Sequence, residues 1–175
     1  MDRRLNRSAL RNVIKALECE IAQIEDAMNE TIKADPTLCD DAKQAKTIQG
    51  IGDKAVWVIF GEFGDLRQYK RNELVALAGL FPKEHSSGTS VHKKPRLAKC
   101  GGGRVRKILY MCAMNAQRHN PHLHQYAERL ADNGKTPMQI LGAIMRKLLL
   151  LVRAVVVSGE AYDPEYGFRV ESQVA

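Results

Sequence analysis

A serine-rich segment near the middle of the chain, Ser86-Ser87-Gly88, carries the residues best suited to chemistry. A serine hydroxyl is a weak nucleophile at neutral pH and requires activation. Attack on a phosphodiester also builds negative charge, which preorganised cations stabilise. Such cations follow within a few residues, at Lys93, Lys94, Arg96 and Lys99. From spacing alone, a polar loop whose serines bond their own backbone is the simpler interpretation, so chemistry at Ser87 is a hypothesis.

The residue two positions before this serine adds a candidate general base. If residues 84–88 are extended, His85 and Ser87 share one face while Ser86 points away. The His85 imidazole is then placed to accept the hydroxyl proton.

Positive charge is concentrated around the same segment. Between Lys83 and Lys107 there are eight basic residues and a single acidic one, Glu84, and this excess equals the net charge of +7 of the whole chain. We therefore expect one surface that faces a polyanion. The nucleic-acid-binding residues that we single out there are Lys93, Lys94, Arg96, Lys99, Arg104, Arg106 and Lys107.

Other classes of site find little support. The four cysteines have no CxxC spacing, the Asp and Glu residues form no pattern of a two-metal site, and the histidines of His119–His124 point to different faces. We therefore expect no metal in this chain. The apolar stretch 138–157 contains Arg146, Lys147 and Arg153, which argues against a membrane span. A bacterial cytoplasmic protein with reduced thiols fits.

The N-terminal residues 3–33 are predicted to form one long helix. Its apolar residues are spaced alternately four and three apart, as in a heptad seam about three repeats long. Two interpretations stay open, namely a coiled-coil arm that dimerises and a helix folded onto its own domain. The seam residues are Leu10, Ile14, Leu17, Ile21, Ile24 and Met28.

A break is expected at residues 34–41, followed by a short helix from Ala42. The sequence Gly50-Ile51-Gly52 then resembles the turn of a helix–hairpin–helix, with Lys54 in the next helix. Glycines permit close approach to a phosphate backbone, and helix N-terminal N–H groups attract anions. Gly50, Gly52 and Lys54 are therefore candidate DNA contacts. The alternative is an ordinary helical connection.

The remaining pattern predicts a mainly α fold. Residues 81–100 have low helix propensity and suggest a short basic β-hairpin or irregular loop. Later helices run to about His119, start again at Asn120-Pro121 and at Thr136-Pro137, and end near Gly159. Residues 160–175 are expected to be loose. The predicted domains are a coiled-coil arm (1–40), a helix-hairpin-helix-containing helical domain (41–164) and a flexible tail (165–175).

Several motifs together resemble the C-terminal domain of the IS110/IS116/IS902 transposases. The resemblance covers residues 44–164 in order. Its residues are Ile48–Gly52, Glu62–Asp65, Ala78–Pro82, Ser87-Gly88, Gly101–Arg106, Leu109-Tyr110, Arg118–Pro121, Tyr126, Leu130, Gly134-Lys135, Ala143, Arg146–Leu148 and Tyr162–Pro164.

The resemblance implies a helical domain that binds DNA and contributes a nucleophilic serine. In the family this serine directly precedes a glycine, which selects Ser87 over Ser86. It also implies recombination of DNA strands, a structured guide RNA, and dimers or tetramers assembled through the N-terminal helix. A histidine at position 85 is not part of the family pattern.

One departure limits the expected activity. Family members carry an N-terminal RuvC-like domain whose Asp-Glu-Asp-Asp set binds divalent metal such as Mg²⁺, and this sequence begins at the helical arm. We expect the chain to bind nucleic acid but not to recombine it alone. Two rivals remain, a non-catalytic helix–hairpin–helix DNA-binding module and a purely structural oligomerisation fragment.

Overall fold

The protein, described here from a computed structural model, is mainly helical, which confirms the predicted fold class. The structure describes residues 3–87, 91–98 and 100–164, without the side chains at 3–6, 84–87 and 91–96. Its chain forms two compact units, Met1–Asp40 and Asp41–Ala175. The elements are α1 (Arg3–Ala34), α2 (Pro36–Lys46), α3 (Asp53–Phe63), a 3-10 turn (Leu66–Gln68), α4 (Arg71–Leu77), β1 (Pro82–Ser87), β2 (Val91–Leu97), α5 (Gly103–His119), α6 (Pro121–Asp132) and α7 (Pro137–Ser158).

Helix α1 has the length that the heptad pattern predicts. The seam residues stay exposed, with Leu17 at 57% and Ile24 at 59%. Exposed side chains of this size leave apolar surface in contact with water, which costs free energy unless a partner covers it. Dimerisation through this seam stays a prediction.

The break after α1 is shorter than expected. Only Asp35 separates α1 from α2, so the prediction of a break over residues 34–41 is wrong. The Asp35 carboxylate accepts hydrogen bonds from the backbone N–H groups of Thr37 (2.9 Å) and Leu38 (3.2 Å). Pro36 occupies the first helical position, where its missing N–H costs nothing. An Asp-Pro pair therefore starts a helix here as well as ending one.

Helices α5 and α7 form the centre of the second unit. Contacts join α5 to α3, α6 and α7, and α7 also contacts α4, α6 and the 3-10 turn. The buried residues of α7 recur at helical spacing, as in Ile144, Leu148 and Val152, all 0% exposed. This periodicity explains why an apolar helix with Arg146 and Lys147 on another face packs in a protein core.

The predicted start signals of α6 and α7 are confirmed. The Asn120 side chain accepts a hydrogen bond from Leu123 N–H (3.1 Å), and Pro121 follows at the first position of α6. At α7, the Gln139 side chain accepts a hydrogen bond from Thr136 N–H (2.9 Å). These caps satisfy backbone donors that a helix leaves unpaired.

The segment after α7 is better anchored than the sequence suggested, as far as residue 164. Tyr162 N–H donates to the Thr47 hydroxyl (2.8 Å), and the Tyr162 hydroxyl exchanges hydrogen bonds with the Asn120 amide (3.3 and 3.4 Å). Asn120 is fully buried, so its amide needs these partners. Residues 160–164 are therefore not loose. The predicted tail at 165–175 lies outside the described residues.

Candidate serine hairpin and nucleic-acid interface

Ser87 is the last residue of strand β1, at the turn end of an antiparallel pair with β2. The backbone register pairs Ser87 with Val91 and His85 with Lys93, while Ser86 pairs with His92. Alternate positions of a pleated strand belong to opposite faces, so positions 85 and 87 alternate with 86, as predicted for an extended segment. The side chains of these residues, and Lys99 as a whole, lie outside the described part of the chain.

Strand β2 runs through Pro95 without ending there. The register shifts at this point, because Lys83 pairs with Arg96 whereas His85 pairs with Lys93. The β2 strand thus has one residue more than β1 across the shift, which is a β-bulge. A proline lacks the N–H that a regular ladder would use, and a bulge tolerates that loss. Lys93, Lys94 and Arg96 remain on this strand.

The base of the hairpin is held by close backbone packing. Ala98 N–H donates to Phe81 C=O (3.0 Å) across its open end. The loop after β2 then lies against the end of α4, since an added Cβ at Gly101 would stand 2.4 Å from Leu77 O and one at Gly79 would stand 2.3 Å from Cys100 O. Both glycines have positive φ. Both glycines therefore permit tight packing between the end of α4 and the loop that follows β2.

Arg106 ties the same region together. Its Nη1 donates to the carbonyl oxygens of Ala78 (3.0 Å), Cys100 (3.1 Å) and Gly101 (2.6 Å). Hydrogen bonds from a charged donor are stronger than neutral ones. This geometry gives Arg106 an intramolecular role, so its predicted contact with nucleic acid is not needed to explain an arginine at this position.

The other described cations of the candidate set are solvent-exposed. Arg104 and Lys107 lie in the first turns of α5, and Lys54 lies in the first turn of α3. Arg104 and Lys107 share the α5 N-terminus with no acidic residue in its first turn. Cations are unfavourable next to the positive end of a helix dipole, so this arrangement is suited to an anion.

The two glycines of the turn between α2 and α3 have different surroundings. Gly50 has φ +103°, and a Cβ there would stand 2.7 Å from Ala116 Cβ and 3.1 Å from Cys112 O of α5. The close approach that this glycine permits is therefore to the protein's own helix. Gly52 is exposed, and an added Cβ meets no described atom within 4 Å. DNA binding by Gly50, Gly52 and Lys54 stays a prediction.

One ion pair of the second unit was missed by the sequence reasoning. Both terminal nitrogens of Arg67 donate to the Asp41 carboxylate (2.6 and 2.7 Å), and Asp41 is buried. This hydrogen-bonded pairing raises the pKa of Arg67 above its ordinary value. The two residues are 26 positions apart, and no local pattern joins them.

Within the residues that the structure describes, no group of three or more His, Cys, Asp or Glu side chains could hold a metal ion. His124 instead faces Gln117 C=O (2.9 Å) and Glu128 (3.4 Å). None of the helices in the described ranges combines the length and apolar character needed to cross a bilayer.

Comparison with known proteins supplies the family. The family described as "Transposase IS116/IS110/IS902 family" matches residues 42–128. The chain is 32% identical over 145 residues to the pilin gene-inverting protein of Moraxella bovis, covering 82% of this chain and 45% of that protein. The Moraxella lacunata protein of the same name gives the same values. The transposase for insertion sequence element IS1111A of Coxiella burnetii is 27% identical over 114 residues, or 63% of this chain and 31% of that protein.

The chain belongs to the IS116/IS110/IS902 family of transposases. It spans less than half the length of these curated relatives. The matched residues 42–128 include the α2–α3 turn, the Ser87 hairpin and α5.

Proposed function

We propose that this chain is the part of a family recombinase that binds DNA and supplies the Ser87 hydroxyl to a composite active site. The observation that carries the proposal is the β1–β2 register, which puts Ser87 at the turn end of a basic hairpin. A hairpin tip is a good place for a nucleophile that must reach a bulky duplex. The packed base, with Arg106 and Gly101, gives that tip a fixed support.

The proposed chemistry is transfer of a phosphodiester to serine. Ser87 Oγ bonds to phosphorus, the bond from phosphorus to a deoxyribose oxygen breaks, and that oxygen takes up a proton. His85, two positions away on the same strand, is the candidate to accept the serine proton. Charge that develops on the phosphoryl oxygens is to be stabilised by nearby cations. The cations proposed for this role are Lys93, Lys94, Arg96 and Lys99.

Metal chemistry is proposed to come from a RuvC-like domain. The Asp-Glu-Asp-Asp set that the resemblance implies would bind Mg²⁺ and complete the composite site. The contribution of this chain is then the serine, its surrounding cations and the DNA contacts. A structured guide RNA is the second nucleic acid that we expect it to meet.

A second copy of the chain is the proposed partner of α1. Support comes from the apolar seam, whose members are spaced alternately three and four residues apart and are 40–59% exposed. A seam of this type is buried when two helices supercoil around each other. Dimers or tetramers would bring two serines to the two strands that recombination must exchange.

The decisive test is a covalent protein–DNA adduct. The full chain, supplied with the RuvC-like domain in trans and Mg²⁺, is incubated with a nicked DNA substrate that traps the intermediate. Denaturing gel electrophoresis should show an adduct for the unmodified chain and for Ser86→Ala, and none for Ser87→Ala. Because the two serines are neighbours, the Ser86 variant controls for general damage to the hairpin.

The alternative is a non-catalytic DNA-binding module built on the α2–α3 turn. The open surroundings of Gly52 and the exposed start of α3 favour this second candidate. It predicts salt-dependent DNA binding with no adduct in any variant. An adduct that persists in Ser87→Ala would show that this serine is not the nucleophile.

A further inference from the structure

Helix α5 presents one continuous face to solvent. Five of its exposed residues are spaced three or four apart, which places them within roughly 80° of one another around the axis and along about 21 Å of its length. The opposite side of the helix is buried, with Val105, Leu109 and Ala116 all at 0% exposure. The residues of this α5 face are Arg104, Lys107, Met111, Asn115 and Arg118.

The charge of this face is of one sign. Helix α5 contains no Asp or Glu, so its cations have no acidic neighbour along the helix. Arg104 and Lys107 stand at the N-terminal end, where the helix dipole opposes them, and Arg118 stands at the other end. Two cations at the N-terminal end do not stabilise the helix, because they meet the positive end of its dipole. A bound anion would offset this repulsion.

Between the charged ends lie two residues of a different type. Met111 is 58% exposed although the helix has ample buried surface elsewhere, and Asn115 is exposed one turn further on. The face therefore has cations at both ends and an apolar side chain and an amide in its middle. That order matches a helix in the major groove, which is about 12 Å wide and lies between two phosphate backbones.

We propose that the α5 face binds a DNA duplex. Arg104, Lys107 and Arg118 contact backbone phosphates, while Met111 and Asn115 face the groove between them. This proposal rests on the proposed function, namely that the chain is part of a recombinase. It gives the chain a second nucleic-acid interface besides the serine hairpin. The N-terminal end of α5 adjoins the base of the hairpin through the contacts of Arg106 with Cys100 and Gly101.

Binding is tested with the full chain carrying Ser87→Ala, so that covalent chemistry makes no contribution. Fluorescence anisotropy follows a mixed-sequence DNA duplex from about 50 to 200 mM salt. Added to this background, Arg118→Gln should weaken binding about five- to tenfold near 0.1 M salt and lower the log–log salt slope by about one. Arg71→Gln is the matched control, because Arg71 is an exposed arginine on α4.

A second pair of variants tests the middle of the face. Met111→Glu places a carboxylate between the phosphate-binding cations and should weaken binding roughly tenfold or more, because like charges repel. Met138→Glu makes the same change at another exposed methionine, 65% exposed on α7, and should bind like the Ser87→Ala parent. Circular dichroism melts show that each variant keeps its helices.

Three results would overturn the proposal. These are a parent chain that binds no duplex, Arg118→Gln and Met111→Glu binding as the parent does, or losses equally large in the two controls. A parallel titration with an RNA hairpin tests the choice of nucleic acid, since a loss confined to RNA would overturn the assignment of this face to a DNA duplex. Adduct formation in the otherwise unmodified chain is measured separately, so failure of the α5 face leaves the Ser87 proposal standing.

Discussion

A single guanidinium organises the base of the serine hairpin. Arg106 donates to three carbonyl oxygens from two segments of the chain, at Ala78 and at Cys100-Gly101. Arg104 and Lys107 flank it in sequence but are exposed. A basic run predicted all three as phosphate contacts. Sequence alone does not separate them, because the carbonyls that Arg106 meets are brought there by tertiary packing.

Replacement of this guanidinium should therefore affect stability. Arg106→Ala leaves the part-buried Ala78 carbonyl and two exposed carbonyls without their donor, and should lower the free energy of unfolding by about 1–3 kcal/mol. Arg106→Lys should retain only part of that stability. Its ammonium is still a charged donor, but it cannot reproduce the planar donor geometry of a guanidinium. Urea denaturation followed by circular dichroism measures both changes.

Arg118→Ala is the matched control for Arg106→Ala. Arg118 is exposed near the other end of the same helix, so its removal should change stability by no more than about 0.5 kcal/mol. Equal losses for the two variants would refute a structural role peculiar to Arg106.

Packing between elements explains why the α2–α3 turn contains a glycine at position 50. Gly50 lets the turn approach α5, whereas Gly52 faces open space. Gly50→Ala introduces a Cβ at positive φ and within 2.7 Å of Ala116 Cβ. We expect a loss of about 2–4 kcal/mol in the free energy of unfolding, measured by urea denaturation.

Ala116→Gly offers a direct check on that explanation. It removes the clashing Cβ, so a double-mutant cycle with Gly50→Ala should show a favourable coupling of about 1 kcal/mol or more. Gly52→Ala, at an ordinary φ of −115°, should cost less than about 1 kcal/mol. Additive effects in the cycle would mean that the strain at Gly50 does not come from the Ala116 Cβ.

Elements with local signals were predictable. The heptad spacing predicted α1, and the Asn-Pro and Thr-Pro pairs predicted the starts of α6 and α7. Asp35-Pro36 was misinterpreted because the same residues end one helix and cap the next. Local composition also indicated the β1–β2 hairpin, although not the bulge that accommodates Pro95 within β2.

At the scale of the whole molecule, the apolar seam of α1 predicts self-association. Ile21→Lys places a charge in the seam and should shift the chain toward monomer. A loss of about 1.4 kcal/mol in the free energy of association raises the dissociation constant tenfold. Gln23→Lys adds the same residue at an exposed site outside the seam and should leave association unchanged. Sedimentation equilibrium measures both. A chain that is monomeric before mutation contradicts dimerisation.

The contacts that close the second unit were beyond sequence reasoning. Arg67 and Asp41 are 26 residues apart, and Arg153 Nε donates to Tyr69 C=O (2.7 Å) across 84 residues. Such pairs become apparent only after the helices have been packed. The candidate site divides in the same way, since the basic hairpin follows from local composition while the support beneath it depends on distant glycines and Arg106.

The hydrogen bond between Tyr162 and Thr47 links positions 115 residues apart. During synthesis, α2 through α6 leave the ribosome before α7 exists to cover α5. The second unit therefore lacks its central packing partner until α7 has been translated, whereas α1 is built from local contacts and can form early. Translation of α7 thus sets the moment at which α5, whose Arg106 holds the base of the hairpin, gains its main packing partner.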